Sequence, residues 1–327
     1  MKSRTIVCAG IALLVLLGVT PELGRAQGVV ESTNNPTQVA TLHWYAANQT
    51  TQFSVGSFPC GVAFDGANVW VANLGGNTVS KLRANDGANL GTFAVGSAPY
   101  ALAYDGANLW SADAAGGTVT KLRGSDGATL GTFAVGNSPV AIAFDGANIW
   151  VTNSGSNTVS KIRASDGAIL GTFNAGNNSQ GIAFDGRNIW ISNSGTASVP
   201  GTTVSKLTDN GKVLGTFTVG SSPLAMAFDG ANIWVANNAS NTVTKLRASD
   251  GADLGDFAVG SSPNGIAFDG ANIWVANSGS NTASKLRATD GKLLGTFAVG
   301  TFPVNGVAFD GTNIWVTNGT SGTVSKM

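Results

Sequence analysis

The feature that most constrains the fold is a short motif, Phe-Asp-Gly-x-Asn-Ile-Trp with small variations, that recurs seven times. Successive copies are separated by 40, 40, 40, 44, 40 and 41 residues. A nearly constant period of this size is typical of solenoids and propellers, in which each repeat is one structural unit. The copies begin at Phe64, Tyr104, Phe144, Phe184, Phe228, Phe268 and Phe309.

Each repeat contains four short runs with strand character, which the third copy shows as "VAIAF", "NIWVTN", "TVSKIR" and "ILGTFNAG". Gly, Asp, Asn and Ser separate the runs. These residues favour tight turns, because Gly accepts positive φ and Asp and Asn bond their own backbone. No run keeps the 3.6-residue period of a helix. Four strands in each of seven repeats predict an all-β, seven-bladed β-propeller.

The two ends of the repeated region predict how the ring closes. The last repeat stops at residues 323–327, after its third strand, whereas residues 50–56 resemble a fourth strand that precedes the first repeat. We therefore expect the N-terminal strand to complete the last blade, which leaves no free terminal blade edge. The predicted organisation is a signal peptide at 1–26, a linker at 27–49 and the propeller at 50–327.

The first residues have the pattern of a secretory signal peptide. Lys2 and Arg4 precede an apolar run at 6–19, and Gly24 and Ala26 have the spacing that a signal peptidase requires. A membrane anchor is the weaker alternative, because the run is shorter than the ~20 residues of a spanning helix. We expect cleavage after Ala26, a secreted or periplasmic protein, and no transmembrane segment in the mature chain.

The charge balance argues against a nucleic-acid partner. Lysine plus arginine and aspartate plus glutamate number 18 each, so the formal net charge is zero, whereas nucleic-acid binders carry a basic face. Loss of Cys8 with the signal peptide would leave Cys60 without an internal disulfide partner. We expect a monomer that is stabilised by packing alone.

Most of the recurring side chains are predicted to be structural. The Asp of each copy, such as Asp65, opens an Asp-Gly-x-Asn hairpin, and a ring of Ca²⁺ ligands is the alternative. The repeated tryptophans, such as Trp70, are expected to pack between blades. Lysine and arginine on the third strand, such as Lys81 and Arg83, are interpreted as a solvated outer edge that discourages pairing with other chains.

The runs "IWVTN" and "IWVAN", followed by "NTVSKL", resemble the YVTN/NHL-type β-propellers of exported bacterial proteins, a superfamily that includes virginiamycin B lyase. The resemblance implies the fold but no particular function, because propellers host unrelated activities. The resemblance implies that a lyase of this kind would need a histidine and a bound Mg²⁺ near the axis. A lactonase of this kind would need a metal held by acidic and amide groups at the channel mouth. The only histidine, His43, precedes the first repeat and matches no repeat position. We therefore assign no catalytic residue, no metal ligand and no cofactor, with Ca²⁺ or Mg²⁺ unsupported by a ligand cluster.

A ligand site is expected where the repeat loses its symmetry, on the face formed by the loops that enter the first strand and those that join the second to the third. One varying position follows the Pro position of each repeat, and Asp113 replaces an Asn of other copies. We predict a shallow pocket over the channel, and ordinary drift of loop residues is the alternative. The predicted lining residues are Cys60, Tyr100, Asp113, Gln180 and Asn264.

Two further irregularities bear on this face. Residues 196–202 are an insertion in the fourth repeat, and the seventh repeat has an extra residue near Asn305. Cys60 and His43 have the residue types of a nucleophile and its base, but the sequence does not place them together.

The predicted function is a non-catalytic binding or scaffold propeller for a protein, glycan or cell-surface partner. The near identity of the copies favours it, because a catalytic pocket needs asymmetric, positioned titratable groups. The alternative is a metal-dependent lyase or lactonase that acts at the mouth of the central channel.

Overall fold

A computed structural model of the protein describes residues 51–327. In that range the chain forms twenty-eight strands, numbered β1 to β28 in chain order, in seven antiparallel sheets of four strands. Each sheet is one blade, so the predicted all-β, seven-bladed propeller is confirmed. The predicted signal peptide, the linker and His43 lie outside the described residues. Within residues 51–327 no helix is long and apolar enough to span a membrane.

Every blade uses its strands in the same order from the channel outward. The first strands are β2 (Pro59–Phe64), β6 (Pro99–Tyr104), β10 (Pro139–Phe144), β14 (Ser179–Phe184), β18 (Pro223–Phe228), β22 (Pro263–Phe268) and β26 (Pro303–Phe309). The second strands are β3 (Asn68–Asn73), β7 (Asn108–Asp113), β11 (Asn148–Asn153), β15 (Ile189–Gly195), β19 (Asn232–Asn237), β23 (Asn272–Asn277) and β27 (Ile314–Asn318). The third strands are β4 (Thr78–Arg83), β8 (Thr118–Arg123), β12 (Thr158–Arg163), β16 (Pro200–Leu207), β20 (Thr242–Arg247), β24 (Thr282–Arg287) and β28 (Thr323–Lys326). The fourth strands are β5 (Asn89–Ala94), β9 (Thr129–Ala134), β13 (Ile169–Asn174), β17 (Val213–Thr218), β21 (Asp253–Ala258), β25 (Leu293–Ala298) and β1 (Thr51–Ser54). A 3₁₀ helix, Leu74–Gly76, joins β3 to β4.

The ring closes as predicted, because β1 is the outer strand of the blade that holds the last three strands. β1 pairs antiparallel with β28, and Phe53 packs on Trp315 with ring centroids 5.6 Å apart. The ammonium group of Lys326 donates hydrogen bonds to the carbonyls of Ala84 and Asn85 in the first blade, each at 2.8 Å. The closing blade is therefore held both within its own sheet and to its neighbour.

The hydrophobic core lies between the blades. One cluster contains Trp70 and Val79 of the first blade together with Leu109 and Leu122 of the second, and all four side chains are fully buried. The prediction that the tryptophans pack between blades is confirmed. Each buried indole removes ~150–250 Å² from water, so the stacking of blades is the main source of stability.

The repeated Asp is a turn residue, as predicted, and it also holds the tryptophan. Asp65 Oδ1 accepts hydrogen bonds from the backbone N–H groups of Ala67 and Asn68, at 2.9 and 2.6 Å. Its Oδ2 accepts from Trp70 Nε1 at 2.8 Å. The same bonds recur at the later copies, for example around Asp145. The motif is therefore one unit that links the hairpin to the core.

The interpretation of the third strand as an outer edge is wrong, and only its arginines are solvated as expected. Arg83 is about half exposed and pairs with Asp86 at 2.9 Å. Lys81 is buried, its Nζ lies 4.6 Å from the centroid of the Trp70 ring, and it donates to the carbonyl of Gly124 in the next blade at 2.7 Å. The reason is that the fourth strand, not the third, is the outer edge of each blade.

Candidate ligand site at the channel mouth

The seven first strands surround the channel and approach one another closely. A Cβ at Gly61 would lie 2.7 Å from the carbonyl oxygen of Tyr100 and 2.8 Å from the Cα of Ala101 in the next blade. Real Cβ atoms essentially never make contacts this short, so glycine is required at this position. The loop that enters the first strand and the loop that joins the second strand to the third meet on one face, where Gly75 N donates to the carbonyl of Ser57 at 3.0 Å.

A cavity of about 150 Å³ lies among the starts of the first strands. Three uncharged polar side chains line it, from Tyr100, Gln180 and Asn305. No Asp, Glu, Lys, Arg or His of residues 51–327 is among its lining residues. A partly aliphatic ring completes the wall, and its members are Val62, Leu102, Ile142, Ile182, Met226 and Ile266.

The first polar group is built around Asn305, on the irregular first strand of the last blade. Asn305 has a positive φ of 45° and donates from Nδ2 to Cys60 Sγ at 3.6 Å. Burial raises the pKa of the Cys60 thiol to about 12, although the hydrogen bond from Asn305 lowers it. Burial and the neighbouring Cys60 raise the pKa of Tyr100 to about 12, against a hydrogen bond with Asn305. Both groups are therefore neutral near pH 7.

The second polar group is Gln180, on the opposite part of the rim. Its Nε2 donates to Asn178 Oδ1 at 2.8 Å, and Asn178 Nδ2 donates to the carbonyl of Gly195 at 2.7 Å. Gly195 is the last residue of β15, directly before the inserted segment. The backbone carbonyl of Gln180 accepts from Thr152 Oγ1 at 2.8 Å. The insertion of the fourth blade thus helps to position a side chain of the cavity.

Asp113 lies inside the second blade and away from the cavity lining. The side chain is fully buried and accepts hydrogen bonds from Ser111 at 2.8 Å and from Thr120 at 2.6 Å. Thr118 contributes a longer bond at 3.4 Å. Burial raises the pKa of the carboxyl, although its hydrogen bonds from Thr120, Ser111, Thr118 and the Gly96 backbone lower it.

The structure brings the predicted site residues together only in part. Tyr100 and Gln180 line the cavity, and Cys60 lies behind it in contact with Asn305. Asn264 follows Pro263 on β22, and its buried Oδ1 has no hydrogen-bond partner within residues 51–327, but it does not line the cavity. Ligand binding by these residues stays a prediction.

Sequence reasoning missed Asn305 as a lining residue, although the extra residue of the seventh repeat marks its position. It also missed the aliphatic part of the wall. An apolar side chain stands at this position in every copy, so the position does not stand out from the repeat.

An aromatic pair lies on the same face as the channel mouth. Phe58 and Phe302 each precede the first strand of their blade, in neighbouring blades, and their ring centroids are 6.2 Å apart. Phe302 is 43% exposed. Other copies have Ala98, Ser138 or Ser222 at this position, so the pair occurs at one place on the rim.

In the part of the chain that the structure describes, no three His, Cys, Asp or Glu side chains come together so that they could hold a metal ion. The Asp oxygens of the repeated turns, which were the alternative Ca²⁺ ligands, accept hydrogen bonds from the turn and from Trp, as at Asp65. These oxygens are therefore occupied by the protein itself.

Fold and site together define a seven-bladed β-propeller with an uncharged cavity at one end of its channel. No known family model matches the chain, and no curated protein matches it. Solved structures do match. The hydrazine synthase of Kuenenia stuttgartiensis is similar with a TM-score of 0.72 and 18% identity, over 93% of this chain and 99% of that one.

Two lyases are similar to a comparable degree. Virginiamycin B lyase from Staphylococcus aureus has a TM-score of 0.71 and 18% identity, over 85% of this chain and 98% of that one. A streptogramin B lyase has a TM-score of 0.71 and 19% identity, over 85% and 96%. At this level of identity the likeness is one of fold alone, and it agrees with the seven-bladed propeller that the repeats predict.

Proposed function

We propose that this protein is an exported, non-catalytic binding propeller that holds a protein, glycan or cell-surface partner at its channel mouth. The observation that carries the proposal is the lining of the cavity, in which Tyr100, Gln180 and Asn305 are the polar groups and no side chain is charged. Such a lining fits a hydroxyl or amide group of a neutral ligand. General acid–base catalysis instead needs titratable groups with pKa values near the working pH.

Two further observations support binding on this face. The aromatic pair of the half-buried Phe58 and the exposed Phe302 offers apolar contact area next to the mouth, and aromatic side chains are enriched in interfaces. The pKa of Tyr100, raised to about 12, keeps its hydroxyl available as a hydrogen-bond donor. Export rests on the predicted signal peptide, residues 1–26.

The repeat supplies substitutions that test the proposal with little risk to the fold. Val140 and Leu224 occupy the positions in neighbouring blades that Tyr100 and Gln180 occupy in theirs. Gln180→Val and Tyr100→Val therefore copy side chains that the propeller already accommodates. Protein that lacks residues 1–26 would be screened by thermal shift against neutral and charged oligosaccharides and peptides, and the ligands found would be measured by calorimetry.

We expect neutral ligands to bind and each substitution to weaken binding by about tenfold, the effect of one or two lost hydrogen bonds. Equal affinity in both variants would contradict a site at the channel mouth. Preferential binding of charged ligands would contradict the chemistry proposed for it.

A metal-dependent lyase or lactonase is the alternative function, because this chain shares its fold with two lyases. Addition of Ca²⁺ or Mg²⁺ separates the two functions. A thermal shift induced by either metal, or turnover of a lactone, would favour the enzyme over the binding protein.

A further inference from the structure

An open groove of about 1170 Å³ lies between the fourth and fifth blades, on the face of the Asp-Gly-x-Asn turns. This face is opposite the channel mouth, because the turns follow the ends of the first strands. The equivalent groove between the second and third blades measures about 610 Å³. The groove between the fourth and fifth blades is therefore nearly twice as large as its counterpart in an otherwise repetitive ring.

Two sequence changes distinguish this groove. Arg187 stands in the turn of the fourth blade where the second and third blades have Ala107 and Ala147. Thr208 follows the third strand where the second blade has Arg123, which pairs with its own turn. Arg187 adds a guanidinium group to the wall of the groove, and Thr208 is a shorter lining residue than the arginine at its position in the second blade.

Most charged groups around the groove are already bound within the protein. Lys206 donates to the carbonyls of Ala248 and Ser249 at 2.6 and 3.3 Å. Asp185 accepts a hydrogen bond from Trp190 Nε1 at 2.8 Å, in addition to bonds from its own turn. These groups hold the fourth blade together and to the fifth, and they are not available to a ligand.

Of the two arginines that line the groove, one is bound within the protein and the other is not. Arg247 pairs with Asp250 at 2.9 Å. The guanidinium group of Arg187 makes no ion pair with any residue in 51–327, and the residue is exposed. Asp209 is the other lining residue whose charge has no ion-pair partner among the described residues.

Apolar side chains line the same groove beside the free guanidinium group. Leu214, on the outer strand β17, is 51% exposed, and Phe228 ends the first strand of the fifth blade. A planar guanidinium group binds carboxylates with two parallel hydrogen bonds, and neighbouring aliphatic surface excludes water from such a pair.

We propose that this groove binds an acidic, partly aliphatic segment of a partner protein, with a carboxylate on Arg187 and an aliphatic side chain on Leu214. The size of the groove, above the range of about 300–1000 Å³ for small-molecule sites, favours a peptide segment over a small metabolite. The site is independent of the channel mouth, because no residue lines both.

The test uses a fluorescein-labelled peptide of alternating leucine and glutamate, with both ends blocked, and fluorescence anisotropy on the purified chain. We expect saturable binding that weakens as salt is raised. Arg187→Ala copies the second and third blades, so it should fold normally and weaken binding by at least about tenfold. Asp209→Asn should strengthen binding, because it removes an anion from the groove.

The matched groove provides the control. Arg163→Ala, which acts between the second and third blades, should leave peptide affinity unchanged. Ala107→Arg combined with Arg123→Thr, made in the Arg187→Ala protein, should restore binding at the second groove.

The proposal is overturned if Arg187→Ala binds the peptide as tightly as the unaltered chain, or if the chain does not bind the peptide saturably. Binding to phosphatidylserine vesicles in an Arg187-dependent manner, without peptide binding, would overturn it in favour of an anionic membrane surface. The Tyr100→Val and Gln180→Val variants test the channel mouth alone, so failure of the proposed function would leave the result for the groove unchanged.

Discussion

Thr120 Oγ1 donates a hydrogen bond of 2.6 Å to Asp113 Oδ2 inside the second blade, at a place where other blades bury an asparagine. In the first blade, Asn73 donates to Ser80 at 2.9 Å at the equivalent position. The second blade therefore reverses the direction of the bond, because a carboxylate accepts where an amide donates. The second blade therefore buries a titratable carboxyl group where other blades bury a neutral amide.

We expect Asp113→Asn to stabilise the protein at pH 7, by an amount on the order of 1 kcal/mol. Burial raises the pKa of Asp113 above its ordinary value of 3.8. The folded state therefore holds this proton more tightly than the unfolded state. The resulting stability is fully present below pH 3.8 and is lost as pH rises through the folded pKa. Urea unfolding of both proteins between pH 3 and 8 should show a difference that grows with pH and then levels off.

The reciprocal change in the third blade is the control. Asn153 donates to Thr158 and Ser160 at 3.1 and 3.0 Å, so Asn153→Asp should lower stability at pH 7 and recover part of it in acid. A stabilising Asn153→Asp would show that burial does not govern either position.

Acid should destabilise the protein through the repeated turn. Burial raises the pKa of Asp145, but hydrogen bonds from Trp150, Ala147 and Asn148 outweigh it and hold the pKa below 3.8. The stability from this carboxylate is present above pH 3.8 and is lost as pH falls through the folded pKa. Asp145→Asn should cost about 1–3 kcal/mol at pH 7 and reduce the loss of stability between pH 4 and 2, as measured by urea unfolding.

Removal of a buried lysine should cost more than removal of the neighbouring arginine. Lys121 Nζ lies 4.9 Å from the Trp110 ring centroid and donates to the carbonyl of Ala164 at 2.7 Å. Lys121→Met leaves that carbonyl unsatisfied and should lower the free energy of unfolding by about 1–3 kcal/mol. Arg123→Met breaks an exposed pair with Asp126 and should change it by less than about 1 kcal/mol. Equal effects would contradict the burial of the lysine.

Removal of the closing strand should open the ring. A chain that begins after residue 54 lacks β1, so β28 loses its outer partner and Trp315 loses its contact with Phe53. Exposed strand edges pair with other chains. We expect a lower Tm and self-association in light scattering after size-exclusion chromatography. A matched chain that begins at residue 49 should remain monomeric.

The Cys60 thiol should resist modification while the protein is folded. The side chain is 1% exposed and burial raises its pKa to about 12, so little thiolate exists at pH 8. Labelling with an aromatic disulfide reagent should be slow and should follow unfolding in urea. Asn305→Ala removes the side chain next to the sulfur and should speed labelling without a large change in Tm. Rapid labelling of the unaltered chain would contradict the buried placement.

The sequence alone determined the number of blades, the order of their strands and the closure by residues 50–56. Those properties follow from local patterns, turn residues and apolar strand runs, repeated at a constant period. The tertiary structure decided which repeated positions are buried and which meet. Lys81 is buried because its partners, Trp70 and the carbonyl of Gly124, lie in its own blade and the next. Tyr100, Gln180 and Asn305 meet because the ring brings together strands that are far apart in sequence, a relationship that no local pattern records.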